Sequence, residues 1–152
     1  MENYEINKET YAVLPSRKGR TKIIEKNNVY YYDVKPYEVM DENCKYYGSS
    51  YNGRLEAGKE ILDCSYKIPI IVEETEKIIF FPTKSLLLKD CGWINGKAIK
   101  KIEDLGKKSK ILFNNGKEII VAVSKESLNN QIYRSSRLES IISERAKAKK
   151  IL

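Results

Sequence analysis

The stretch Lys110-Ile111-Leu112-Phe113-Asn114-Asn115-Gly116-Lys117-Glu118-Ile119-Ile120-Val121-Ala122-Val123, running on through Ser124 to Lys150, decides the fold class. Its first part is two β-rich runs about Asn114-Asn115-Gly116, residues that tolerate φ > 0 and so favour a hairpin. Its second part has helical period. From Ser124 to about Lys150 the chain can form a helix of about 25 residues, or about 38 Å. Ser124 suits the N-cap and Glu126 the first turn. Arg145, Lys147, Lys149 and Lys150 favour the negative C-terminal end. At 100° per residue, Leu128, Ile132, Ser135, Leu138 and Ile142 share one face. Asn130, Arg134 and Arg137 fall within about 60° of one another on the other side.

Working back towards the N-terminus, the chain is mostly β. Tyr4–Ile6 and Tyr11–Leu14 read as short strands. Thr21–Lys26 and Val29–Val34 read as a hairpin about Asn27-Asn28. Pro36 breaks the pattern, and Glu38–Tyr47 suits a short helix or a loop. Gly48 to Gly58 reads as loop chemistry leading into a helical or irregular stretch. Ile68–Val72 and Ile78–Phe81 are β-rich, with Pro69 and Pro82 at edges or ends. Trp93-Ile94 and Lys97–Ile102 form a weaker pair about Asn95-Gly96. The expectation is an α+β fold: antiparallel hairpins or a mixed sheet, a loop-rich central segment and a long C-terminal helix. One domain covers 1–152, with 1–123 mainly β and 124–150 the helix.

Composition narrows the chemistry. The chain has 152 residues, 41% hydrophobic and 32% charged, which suits a soluble globule of one domain. It has no histidine. That removes Ser-His-Asp and Cys-His catalysis, imidazole proton relays and every His-containing metal site. Three cysteines, Cys44, Cys64 and Cys91, form no CxxC pair and read as reduced structural thiols. No apolar run is long enough to span a membrane, and the polar, acidic start does not look like a secretory signal. A cytoplasmic protein is expected.

Charge is unevenly placed. Residues 1–99 carry 15 Lys+Arg and 15 Asp+Glu, while residues 100–152 carry 13 against 6. The whole net charge of +7 therefore lies in the last third. Such a field attracts polyanions, although a solvated lysine surface would look the same. Arginine is scarce at 6 of 28 cations, so Arg134 and Arg137 beside Asn130 stand out.

Cys44-Lys45-Tyr46-Tyr47-Gly48-Ser49-Ser50-Tyr51-Asn52-Gly53-Arg54 is the other unusual segment. Gly48 and Gly53-Arg54 make a near miss to a phosphate-binding P-loop. Arg54 stands where the lysine should be, and Leu55 where a hydroxyl should hold magnesium. Nucleotide hydrolysis is not expected. Lys45, Ser49, Ser50, Tyr51, Asn52 and Arg54 can still grip a phosphodiester; the alternative is a structural turn with its tyrosines in the core. Eleven tyrosines against three phenylalanines allow stacking on single-stranded bases or ordinary sheet packing. The acidic pairs Asp41-Glu42, Glu73-Glu74 and Glu103-Asp104 each lack a third carboxylate for a metal site.

Seven stretches together carry a family resemblance: Ala12-Val13-Leu14-Pro15; Lys22-Ile23-Ile24-Glu25-Lys26; Gly48-Ser49-Ser50-Tyr51 with Gly53-Arg54; Phe81-Pro82-Thr83; Cys91-Gly92-Trp93-Ile94; Asn115-Gly116-Lys117; and Asn130-Gln131-Ile132-Tyr133-Arg134. In this order the chain resembles the ComK family, the competence transcription factors of Gram-positive bacteria. The resemblance implies an activator that binds double-stranded DNA at paired A/T-rich boxes, mainly from the minor groove. It implies a homo-oligomer on DNA, positive autoregulation and contact with RNA polymerase. Better-known members continue with a C-terminal tail associated with adaptor-mediated proteolysis and full activation; here the sequence stops at Leu152. A shorter member, a paralogue that binds without activating, or a truncated chain would each fit.

Minor-groove reading calls for Arg, Lys, Asn or Gln in a narrow negative groove. The DNA-binding candidates are Lys45, Ser49, Ser50, Tyr51, Asn52, Arg54, Asn130, Gln131, Arg134 and Arg137. No cofactor, no metal and no enzymatic activity are expected. The rivals are an RNA- or single-strand-binding module and a metal-dependent nuclease.

Overall fold

Among the described residues, nine strands and three helices make an α+β fold in which every strand pairing is antiparallel. The structure, a computed structural model, describes residues 3–84 and 91–151, with side chains in the last helix as far as Ala148. The side chains of Lys149 and Lys150 lie outside the described residues.

The order along the chain is β1 (Thr10–Pro15), β2 (Thr21–Glu25), β3 (Val29–Tyr32), α1 (Pro36–Tyr46), α2 (Tyr51–Leu62), β4 (Ile70–Glu73), β5 (Ile78–Pro82), β6 (Trp93–Ile94), β7 (Ile99–Asp104), β8 (Ser109–Phe113), β9 (Glu118–Val121) and α3 (Lys125–Ile151). A six-stranded sheet runs β3-β2-β1-β6-β5-β4, and a three-stranded sheet runs β7-β8-β9. The hairpins about Asn27-Asn28 and Asn114-Asn115-Gly116 form as their turn residues predict.

Alternation along the strands gives the large sheet two buried faces. Val13, Ile23, Ile70, Val72, Phe80 and Trp93 meet Val39, Met40 and Cys44 of α1 and Tyr51 and Leu55 of α2. Ala12, Ile24, Phe81 and Ile94 face the other way, onto Ile102, Ile111 and Phe113 of the small sheet and Leu128 and Ile132 of α3. Ile71 and Ile79 on that second face meet Leu138 of α3, with Ile61, Leu62 and Ile142 packed around them. The molecule is therefore layered, with the α1–α2 pair on one face of the large sheet and the small sheet plus α3 on the other, and the C-terminal end of α2 reaches α3 at Ile61 and Leu62.

Three sequence expectations are corrected. Tyr4–Ile6 is not a strand, although Tyr4 and Ile6 are buried. The Asn43 side chain does the pairing instead: its Oδ1 accepts from Ile6 N–H at 2.7 Å and its Nδ2 donates to the Tyr4 carbonyl at 2.9 Å. The central segment is not loop-rich but two helices joined by a short turn. Pro36 opens α1 at a position where its missing N–H costs nothing. Gly58 sits inside α2 because a Cβ there would meet Ile68 Cγ2 at 2.5 Å and the Pro69 carbonyl at 3.1 Å. Finally, Asn95-Gly96 does not join a hairpin. Asn95 caps a short 3₁₀ turn, accepting from Lys97 N–H at 3.1 Å, and the chain crosses from one sheet to the other.

Candidate nucleic-acid interface

Helix α3 is set by its own sequence signals. Ser124 Oγ accepts the Ser127 N–H at 3.2 Å, an N-cap contact. Leu128, Ser135 and Leu138 are buried, and Ile132 and Ile142 are half-buried, as the helical period predicts. Gln131 is also inward: it is 3% exposed, and its Nε2 donates to the Pro82 carbonyl at 2.9 Å. It ties the helix to the end of β5 and is not on the outer face. Gln131 Oε1 and Ser135 Oγ have no hydrogen-bond partner among the described residues.

On the outer face, Asn130 and Arg137 are exposed and Arg134 is half-buried. The Arg134 guanidinium lies over the Tyr66 ring, 5.7 Å from its centroid, and Nη1 donates to the Tyr66 carbonyl at 3.1 Å. Tyr66 and Tyr133 are about two-thirds exposed, at 66% and 65%. Tyr66 is the residue that reading the sequence missed. It lies 68 positions before Arg134, and no local pattern links the two.

The Lys45–Arg54 segment is built differently. Ser50 caps α2, its Oγ accepting from Gly53 N–H at 2.9 Å, and Tyr51 N–H donates to Asp41 Oδ1 at 2.9 Å. The Tyr51 ring is buried, and its hydroxyl accepts from Trp93 Nε1 at 3.2 Å. Burial pushes the Tyr51 phenol well above its usual range. The Cys44 thiol is likewise pushed up by burial, to about 12. Arg54 Nη1 meets Glu74 Oε1 at 2.8 Å, and only 12% of the Arg54 side chain is exposed. Lys45 is exposed and pairs with Asp41 at 3.2 Å. Asn52 is exposed and Ser49 half-buried.

The two candidate segments therefore lie on opposite faces of the large sheet, Lys45–Arg54 in the α1–α2 layer and Asn130–Arg137 in the α3 layer. Charge divides the same way. Residues 35–63, which hold α1 and α2, carry four Lys or Arg against six Asp or Glu, a net of −2. The small sheet and α3 carry the +7 of residues 100–152. In that layer Lys110 pairs with Glu103 at 3.5 Å and Glu118 at 3.6 Å, and Glu139 pairs with Lys97. Lys100, Lys101, Lys107, Lys108, Lys117 and Arg137 are exposed with no ion-pair partner among the described residues. Three of the six carboxylates are thus occupied, and the free cations dominate.

No cluster of three or more His, Cys, Asp or Glu that could hold a metal occurs among the described residues. Nor is any helix among them long and apolar enough to cross a membrane.

The class defined here is an antiparallel α+β protein with one strongly cationic layer. A model of the ComK protein family matches residues 1–147, and the chain belongs to the ComK family. It is 37% identical over 149 residues to the "Competence transcription factor" of Bacillus subtilis (strain 168), an alignment that covers 95% of this chain and 78% of that protein. No solved structure matches the chain.

Proposed function

We propose that this chain is a DNA-binding transcription factor that recognises A/T-rich boxes in duplex DNA mainly through the minor groove. The name of the Bacillus subtilis relative supports the general function. The observation that carries the DNA reading is the collection of the +7 charge into the layer of small sheet and α3. A face of that kind releases counterions from phosphates. Asn130, Arg134 and Arg137 supply the side-chain types that suit a narrow groove. The reading includes assembly as a homo-oligomer on paired boxes, and contact with RNA polymerase where it activates. It gives Tyr51, Gln131 and Arg54 structural roles, because each is held inside the fold.

The test is base substitution. Replacing A·T by I·C pairs alters the major-groove edge and nearly preserves the minor-groove edge. Binding retained on I·C boxes and displaced by an A/T-specific minor-groove ligand is the expected result. Loss on I·C boxes assigns the major groove instead. Exposed Tyr66 and Tyr133 favour a second reading, stacking on single-stranded bases. Single strands that compete better than duplex would establish it.

A further inference from the structure

The turn between β1 and β2 carries cations that the fold does not use. Between Pro15 and Ile24 lie Arg17, Lys18, Arg20 and Lys22 and no carboxylate. Ser16 N–H donates to the Arg20 carbonyl at 2.8 Å and Arg20 N–H to the Arg17 carbonyl at 3.1 Å, so the tip is closed on itself. Lys18 and Gly19 both take positive φ, 56° and 73°. None of Arg17, Lys18 and Gly19 is buried. Arg17 and Lys18 have no ion-pair partner among the described residues.

Behind the tip, Arg20 is fixed from two sides. Its Nε pairs with Asp33 at 2.9 Å, and its guanidinium lies 6.0 Å from the centroid of the Tyr31 ring, which is 52% exposed. Lys22 stands opposite Tyr31 in register. Ile24 on the same strand faces the small sheet, so by alternation Lys22 and Tyr31 point to that side of the large sheet as well. This is the side that carries α3. From β2 to β5, where α3 docks, there are three strand spacings, about 14 Å.

We propose that the Ser16–Arg20 turn, with Lys22 and Tyr31 behind it, is a second DNA contact that grips the phosphate backbone beside the groove entered by α3. This rests on the DNA reading above and adds to it a separate element on the same face. Arg17 and Lys18 each neutralise a phosphate. Arg20, held by Asp33 and Tyr31, keeps the tip pointing outwards. Phosphate contacts position a protein without reading sequence.

The experiment compares the full chain with R17Q/K18N and with R17K/K18R, on an A/T-box duplex with random flanks and on a scrambled duplex, across salt concentrations. Asn is chosen at position 18 because it tolerates positive φ. R17Q/K18N is expected to lose affinity by the same factor on both duplexes, roughly tenfold, and to flatten the salt slope by about two, near 0.9 per phosphate. R17K/K18R, which keeps both charges, is expected to bind as the unaltered chain does, and melting temperatures should agree across all three. An unchanged slope in R17Q/K18N while the unaltered chain binds overturns this inference alone. A loss confined to the A/T duplex also overturns it, because that is base reading. No duplex binding by the unaltered chain overturns the DNA reading with it.

Discussion

The Arg54 guanidinium and the Glu74 carboxylate meet at 2.8 Å, joining the first turn of α2 to the turn between β4 and β5. The pair consumes the arginine that, as a sequence, looks most like a phosphate ligand. Its Nε is buried with no partner among the described residues, so the side chain is committed to the interior.

Arg54→Ala is therefore expected to act on stability. Losing the nearly buried Arg54 side chain and its contact with Glu74, which is itself 65% exposed, costs about 1 kcal/mol, which is a fall of roughly 2–4 °C in melting temperature for a chain of this size. The salt slope of DNA binding should not change. A lower slope with unchanged melting would return Arg54 to the interface.

Alkaline pH should destabilise the fold. Burial raises the Cys44 thiol from its usual 9.0 to about 12, and raises the Tyr51 phenol above its usual 10.0. Burial, then the hydrogen bond to Glu25, does the same for Tyr4. Each group keeps its proton longer when folded than when unfolded. The stability from this source is fully present below about pH 9 and is lost as pH rises towards 12 and beyond. Melting temperature against pH should fall above about pH 9, and less steeply above pH 10 in Tyr51→Phe. Cys44 should resist alkylation in the native chain at neutral pH. Its rapid modification would contradict the buried placement.

Gly58→Ala should destabilise, although alanine is the better helix former. The added methyl meets Ile68 and the Pro69 carbonyl, and overpacking of this kind costs about 1–3 kcal/mol. Denaturant unfolding of the variant checks it. A gain in stability would mean that α2 does not lie so close to the segment entering β4.

Much of this fold was legible where signals are local. The two Asn-containing turns announce their hairpins, and α3 shows its cap and its buried face in its own residues. The rest depends on contacts distant in sequence. Gly58 reads as loop chemistry because nothing nearby in the sequence reveals that Ile68 and Pro69 press on α2 there. Tyr4–Ile6 reads as a strand because its alternation is real, but its partner is one asparagine side chain 37 residues away from Ile6. Asn95-Gly96 has a hairpin dipeptide and serves a sheet-to-sheet crossing. For the site, the confinement of the +7 to residues 100–152 was visible in the sequence, but only the folded arrangement puts Asn130–Arg137 and Lys45–Arg54 on opposite faces of the large sheet.

The most direct test of the central claim, that the small-sheet and α3 layer is the DNA-binding face, is the salt slope on an A/T-box duplex. It should be measured for the unaltered chain, for R134Q/R137Q and for K45Q, whose lysine is exposed in the opposite layer. The account predicts that R134Q/R137Q weakens binding, by about 1–3 kcal/mol for each side chain that enters the groove, and flattens the slope by up to about two. K45Q should leave both unchanged. A flattened slope in K45Q with normal binding by R134Q/R137Q would put DNA on the α1–α2 face and contradict the account.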